Sequence, residues 1–286
     1  MSLASYLNLC KPKIVLLLTL TAFVGMLISV KFYDNFLAGF ASLLGFSFLA
    51  GASAALNQIF DRETDKNMNR TKARPLATGE LSLFSALTFT TILLFVGSSL
   101  LLYFSNLLTL LITTFGFIFY SLIYTIYLKW TTPQNIVIGG LAGAMPPLLG
   151  WTAVSNTIEP NALLLVLIVM VWTPPHFWAL AIHRIDDYSK ADVPMLPVQK
   201  GVPFTKQHIL LYTVLLLVCT LLPYATELFN EIYLTCAIIL GLIFLYYSYR
   251  LFRDDTNSQA MPTFAYSIVY LGLLFSAMLI DFYIYL

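Results

Sequence analysis

Charged residues are scarce in this 286-residue chain. Only 10% are Asp, Glu, Lys or Arg, whereas soluble domains average about a quarter. Hydrophobic residues make up 59% of the chain, and the mean hydropathy is +0.83. This composition excludes an ordinary water-soluble domain and predicts an integral membrane protein. We expect the lipid bilayer to surround it and no nucleic acid to be among its partners.

Cysteine is also rare, and several processing signals are missing. Cys10, Cys219 and Cys236 lie far apart and form no Cys-x-x-Cys pair, which argues against a zinc knuckle, covalent haem attachment and a disulfide framework. The first apolar segment, residues 14–30, is long for a signal peptide and has no Ala-x-Ala cleavage site. No Arg-rich transit peptide is recognisable. We therefore expect an uncleaved first span in a bacterial cytoplasmic (inner) membrane.

Long apolar stretches divide the chain into candidate membrane spans, each near the roughly 20 residues that a helix needs to cross the hydrocarbon core. Helix-disrupting Gly and Pro residues inside these stretches do not exclude them, because neighbouring helices satisfy the freed backbone groups. We predict a multi-pass protein with nine spans, near residues 14–30, 36–60, 81–104, 107–128, 135–155, 161–182, 208–226, 232–249 and 263–285.

Basic residues test the orientation of these spans. With a cytoplasmic N-terminus, 14 of the 15 Lys and Arg residues fall in cytoplasmic segments, and the exception is Lys31. Such a bias is what the positive-inside rule predicts, so we expect the C-terminus outside. No basic or acidic residue lies in the middle of a span, which counts against a charge-coupled transporter. A carrier for a neutral lipid or metabolite stays open as a different functional class.

Two predicted cytoplasmic loops, about 61–80 and 183–207, are rich in acids and bases. At the first, Asn57, Asp61 and Asp65 follow one another at intervals of four and share one face of a helix. Their oxygens suit Mg²⁺, and Arg70 and Arg74 beyond them suit a phosphate. The alternative is an ordinary solvated loop, which the strict register at a membrane boundary makes less attractive.

The second loop carries Asp186, Asp187 and Tyr188, a weak signal alone because such residues often cap helices or form turns. Before it, His176 and His183 lie seven residues apart on roughly one helical face. If the substrate is a haem, either histidine is a candidate for its iron. If the substrate is an allylic diphosphate, Mg²⁺ and basic side chains would stabilise the diphosphate as it leaves. An aromatic-rich cavity would shield an allyl cation from water, and 15% of the chain is aromatic.

Several of these segments together resemble one family. Asn57-x-x-x-Asp61-x-x-x-Asp65, followed by Arg70-Thr71-x-x-Arg74, resembles the UbiA superfamily of intramembrane prenyltransferases. Thr-Pro-Gln-Asn at 132–135, Thr-Pro-Pro-His-Phe-Trp at 173–178 and Val-Pro-Met-Leu-Pro at 193–197 resemble, more narrowly, its haem-farnesylating members.

The resemblance implies an all-α bundle of nine transmembrane helices around a central cavity, acting as a single domain over residues 1–286. It also implies Mg²⁺-dependent transfer of farnesyl from farnesyl diphosphate to the 2-vinyl group of haem B. Addition of water would give haem O and diphosphate, and a haem-handling or oxidase-assembly partner would receive the product.

Residue roles follow from the same resemblance. The metal ligands would be Asn57, Asp61, Asp65 and Asp187. The catalytic residues would be Asp61, Asp65 and Asp187, and the substrate-binding residues Arg70, Arg74, Lys129, Asp186, Tyr188, His176 and His183. One departure concerns the second loop, where many superfamily members have Asp-x-x-x-Asp. Ala191 stands four residues after Asp187, so the number of metals bound there stays open. An aromatic quinone precursor stays open as the acceptor.

Overall fold

The computed structural model describes residues 2–29, 32, 34–69 and 71–286. Every regular element among these residues is a helix and none is a strand, which confirms the predicted all-α class. The chain divides into two compact units.

The first unit comprises Met1–Thr131, Met145–Ile158 and Lys190–Asp192. Two of its helices pack closely because glycines lie at their contact. A Cβ atom added to Gly25 would collide with the backbone of Pro147, and a Cβ atom added to Gly150 would collide with the backbone of Ala22. Small residues allow this approach in membrane helices. The elements are α1 (Leu3–Leu9), α2 (Pro12–Ile28), α3 (Phe36–Asp65), α4 (Leu83–Phe104), α5 (Leu107–Ile118), a π-helix (Phe119–Leu128), α6 (Lys129–Thr131) and, later in the chain, α8 (Pro146–Ser155).

The second unit comprises Thr132–Ala144, Glu159–Ser189 and Val193–Leu286. The elements are α7 (Asn135–Ala144), α9 (Pro160–His183), α10 (Ile185–Lys190), α11 (Leu196–Lys200), α12 (Val202–Ala225), α13 (Glu231–Arg253) and α14 (Ala260–Tyr285). Within this unit, α9 packs against α7, α12 and α14, and α13 packs against α12 and α14.

Two aspartates of the second unit accept backbone hydrogen bonds near the ends of helices. Asp281 of α14 is fully buried and accepts hydrogen bonds from the backbone N–H groups of Asn230 at 2.7 Å and Tyr233 at 2.9 Å. It thereby satisfies amides that the first turn of α13 leaves unpaired. Asp254 accepts from the Thr256 hydroxyl at 2.6 Å and from the backbone N–H of Gln259 at 2.8 Å. These bonds hold the pKa of the Asp254 carboxyl below its ordinary value.

Eight helical segments of the described residues are long and apolar enough to cross a membrane. They include Asn135–Ser155, which α7 and α8 form together. The bent pair Leu3–Leu9 and Pro12–Ile28, with 54° between its helices, makes a ninth span if the two are counted as one. The chain is therefore a multi-pass helical membrane protein. Its orientation stays a prediction, and Lys31, the exception to the charge bias, lies outside the described residues.

Candidate active site

The acidic face predicted from the first loop lies on the last turns of α3. Asn57, Asp61 and Asp65 are all helical and are 5%, 5% and 3% exposed. Glu63, on the same turns, is exposed and pairs with Lys66 at 2.7 Å. The three side chains spaced four residues apart are therefore buried, whereas the carboxylate of Glu63 is in contact with solvent, as the four-residue spacing predicts.

Each buried carboxylate meets a basic side chain. Lys129 Nζ lies 2.7 Å from Asp61 Oδ1. Arg74 Nη1 donates to both oxygens of Asp65, at 2.9 and 2.7 Å, and Arg74 lies on a turn, as the following proline predicts. A buried carboxylate without such a partner would be costly. The structure thus brings together Asp61 with Lys129 and Asp65 with Arg74.

Lys11 also belongs to this cluster. The sequence shows it only as a basic residue before an apolar segment and does not predict a place in the site. Its Nζ donates to Asn57 Oδ1 at 2.5 Å. Lys11 separates α1 from α2 and has a left-handed backbone, with φ 49° and ψ 61°, which is uncommon for a residue with a side chain. Gln58 holds the same break by donating to the carbonyls of Asn8 and Leu9. The bend between the two helices therefore places a lysine at the site.

A ladder of polar side chains joins α3 to the π-helix and the residue after it. Its three rungs are Ser53 with Ser121 at 2.8 Å, Asn57 with Thr125 at 3.2 Å, and Asp61 with Lys129 at 2.7 Å. The partners are 68 residues apart at every rung, so the two helices run side by side in the same direction. A π-helix of ten residues is rare, and such segments are frequent at functional sites. No sequence signal had marked Thr125.

The oxygen atoms of this cluster are suitable ligands for a Mg²⁺ ion that is also coordinated by a substrate. Two carboxylates and an amide oxygen are ligands of the required kind, and Mg²⁺ is usually held by one or two carboxylates together with substrate phosphates and water. No group of three or more His, Cys, Asp or Glu side chains suited to hold a metal occurs among the described residues. Asn57, Asp61 and Asp65 would hold the ion together with phosphate oxygens.

Two further residues of the first loop need separate mention. Arg70, predicted to bind phosphate, lies outside the described residues. The adjacent Thr71 is buried, and its hydroxyl donates to the backbone carbonyl of Asp65 at 3.1 Å. That bond ties the loop to the end of α3.

The acids of the second loop lie on the short helix α10. Asp187 is buried, Tyr188 is half-buried and Asp186 is exposed. Arg184 Nη1 lies 4.0 Å from Asp187 Oδ2. Burial therefore distinguishes Asp187 from its neighbour, which the sequence pattern could not do.

The two candidate histidines differ in environment. His176 is buried inside α9 and stacks on Trp172, with ring centroids 4.2 Å apart. His183, the last residue of α9, is exposed. Although the helix turns both toward roughly one side, only His176 lies in a packed interior among the described residues.

Two buried acids, neutralised by an arginine and a lysine at the end of an apolar helix, are the arrangement expected of an intramembrane enzyme for a charged, lipid-like substrate. The model of the UbiA prenyltransferase family matches residues 18–277, and the chain belongs to this family.

Curated relatives agree with that assignment, and solved structures show the same fold. Protoheme IX farnesyltransferase of Alcanivorax borkumensis is 54% identical, with 98% of this chain and 93% of that protein covered. The enzyme of the same name from Methylococcus capsulatus is 50% identical, with 99% and 95% covered. A digeranylgeranylglyceryl phosphate synthase structure matches with a TM-score of 0.82 at 23% identity, covering 98% of each chain. A UbiA homologue from Archaeoglobus fulgidus, bound to GPP and Mg²⁺, matches with a TM-score of 0.68 at 16% identity, with 96% and 99% covered. The structures support the fold alone.

Proposed function

We propose that this chain transfers a farnesyl group from farnesyl diphosphate to the 2-vinyl group of haem B, with addition of water, to give haem O and diphosphate. The observation that carries the proposal is the identity of 50% or more, over nearly the whole chain, to proteins named protoheme IX farnesyltransferase. We further propose that residues 1–286 act as one prenyltransferase domain in the cytoplasmic membrane of a bacterium.

The cluster at the end of α3 would bind the diphosphate. Mg²⁺, held by Asn57, Asp61 and Asp65, would supply charge neutralisation of the leaving group. Lys129 and Arg74, which now neutralise the two carboxylates, have long side chains that can turn to the diphosphate oxygens when the metal takes their place. Arginine and lysine bind phosphate in this way, with charge-assisted hydrogen bonds. Arg70 would add to the same group of donors.

Lys11 extends this set. It is held on the Asn57 amide oxygen, which is the ligand atom that the metal requires. Binding of the ion would displace the ammonium group toward the phosphate, as for Lys129. The site would therefore exchange its cationic side chains between two sets of oxygens, those of Asn57, Asp61 and Asp65 and those of the diphosphate.

The proposed reaction breaks one carbon–oxygen bond and forms a carbon–carbon bond and a new carbon–oxygen bond. As the bond between the farnesyl C1 and the diphosphate oxygen breaks, the terminal vinyl carbon of haem attacks C1. The inner vinyl carbon then takes up water and releases a proton. Basic side chains would stabilise the charge that grows on the leaving group, and an apolar surrounding would keep water from the allyl cation until the carbon–carbon bond has formed.

The second loop carries a buried carboxylate of its own. Asp187 is buried next to Arg184, and we propose that it binds metal, whereas Asp186 and Tyr188 contact substrate. Once formed, haem O would pass to a haem-handling or oxidase-assembly partner.

The test uses the full-length chain in lipid nanodiscs with haem B, farnesyl diphosphate and Mg²⁺. Mass spectrometry should show haem that has gained farnesyl and water, with one diphosphate released per product, and chelation of Mg²⁺ should stop both. Prenylation of 4-hydroxybenzoate without a haem product would select the quinone-precursor alternative. Intact farnesyl diphosphate with either acceptor would contradict a transferase and favour the carrier.

A further inference from the structure

Three aromatic rings and a serine surround the ring of His176, and one of these rings, Phe177, packs edge-on with ring centroids 4.9 Å apart. Trp172 stacks on one face at 4.2 Å and Phe264 on the other at 4.5 Å, between ring centroids. The Nδ1 edge lies 2.6 Å from Ser267 Oγ. The side chain is 8% exposed, and no described residue forms a hydrogen bond with Nε2. Nε2 is therefore the ring nitrogen that is left for a ligand.

The hydrogen bonds of Ser267 determine which ring nitrogen carries the proton. Its hydroxyl has one proton, and it donates this to the carbonyl of Phe264 at 2.6 Å, because a carbonyl only accepts. The Ser267 oxygen must then accept from His176, so Nδ1 carries the N–H. Trp172 Nε1 also donates to the Ser267 carbonyl, at 2.8 Å, and this bond holds the serine backbone in place. The neutral imidazole thus has a free lone pair on Nε2.

We propose that Nε2 of His176 is an axial ligand of the iron of haem B, a proposal that rests on the function proposed above. A histidine that ligates a metal almost always donates its other ring N–H to an acceptor, which fixes the tautomer and the ring orientation. Here the acceptor is Ser267. The bond to iron is dative, so it requires no oxidant and no proton transfer. Ligation through iron holds the porphyrin while both of its vinyl groups stay free.

A second histidine of the same unit provides a matched control. His208 also has Nδ1 within hydrogen-bond distance of a carbonyl, that of Phe204 at 2.9 Å, so it has the same tautomer. It is only half-buried, on the second turn of α12. His176 and His208 therefore differ in surroundings and not in tautomer.

The experiment titrates ferric haem B into the untagged full-length chain in nanodiscs, without farnesyl diphosphate, and records optical and EPR spectra. The wild type should show imidazole ligation. His176→Asn should abolish it, although the asparagine amide still donates to Ser267, and added imidazole should restore it. His208→Asn should leave the spectra unchanged. Ser267→Ala should keep the ligation but weaken haem affinity about tenfold, the lower end of the usual effect of losing such a partner.

Spectra of His176→Asn that equal those of the wild type would overturn the proposal, and so would loss of the signal in His208→Asn alone. Product formation in the same preparations separates the two proposals. Formation of haem O without ligation by His176 would support the proposed function and refute the proposed iron ligand. Ligation by His176 without any product would support the iron ligand and refute the proposed function. A wild type that neither binds haem nor modifies it would refute both.

Discussion

The buried carboxylates at the end of α3 in the first unit and the buried Asp281 of the second unit are neutralised in different ways. In the first, Asp61 and Asp65 meet the long side chains of Lys129 and Arg74. In the second, Asp281 meets backbone N–H groups at the start of α13. A lysine or arginine can leave a carboxylate when a metal arrives, whereas a helix terminus is fixed. We therefore propose that the ion pairs of Asp61 and Asp65 are exchangeable and serve chemistry, whereas the contacts of Asp281 are permanent and serve stability.

The largest effect that this comparison predicts is on catalysis at Asp61. Asp61→Asn should lower farnesyl transfer about 100-fold or more, the usual loss when one group that stabilises transition-state charge is removed. Glu63→Gln is the control, since Glu63 is an exposed carboxylate on the same helical turns. Single-turnover assays in nanodiscs would measure both. Equal rates for the two variants would break the distinction between buried and solvated acids.

A smaller effect is expected at Arg74. Arg74→Lys keeps the charge but loses the planar guanidinium, which suits carboxylate and phosphate oxygens better than an ammonium group does. We expect KM for farnesyl diphosphate to rise about tenfold, with little change in membrane insertion. Arg62→Lys, at a site that is half-exposed beside Glu63, should leave KM unchanged. An unchanged KM in Arg74→Lys would remove this arginine from the substrate site.

The second loop gives an internal comparison of neighbours. Asp187→Asn should raise the Mg²⁺ concentration needed for half-maximal rate, whereas Asp186→Asn should have a weaker effect, because Asp187 is buried and Asp186 is exposed. We expect a difference of several-fold, which corresponds to about 1 kcal/mol. A stronger effect from Asp186 would show that burial is a poor guide to function on α10.

The smallest change in activity is expected at Asp281. Asp281→Asn should leave turnover near that of the wild type but lower stability by about 1–3 kcal/mol, since a buried backbone donor loses its charged acceptor. Thermal unfolding in detergent would measure this, with the exposed Asp255→Asn as the control. Loss of activity in a variant that unfolds normally would contradict a purely structural role.

Local patterns in the sequence predict the parts of the site that lie on one helix. The face of Asn57, Asp61 and Asp65 follows from helical periodicity, and the spans follow from hydropathy. Lys11 and Thr125 were missed because they reach Asn57 across 46 and 68 residues, and such contacts depend on how helices pack. The π-helix is likewise unpredictable from residue type. Burial of Asp187, but not Asp186, is also a product of packing.

Metal binding tests the central claim most directly. Mn²⁺ shares the oxygen-ligand preference of Mg²⁺ and is visible by EPR, so it can be titrated with a non-reacting thiolo analogue of farnesyl diphosphate. The wild type and Glu63→Gln should bind Mn²⁺ together with the analogue, and Asp61→Asn should lose this binding. Equal Mn²⁺ binding by Asp61→Asn and the wild type would contradict the account.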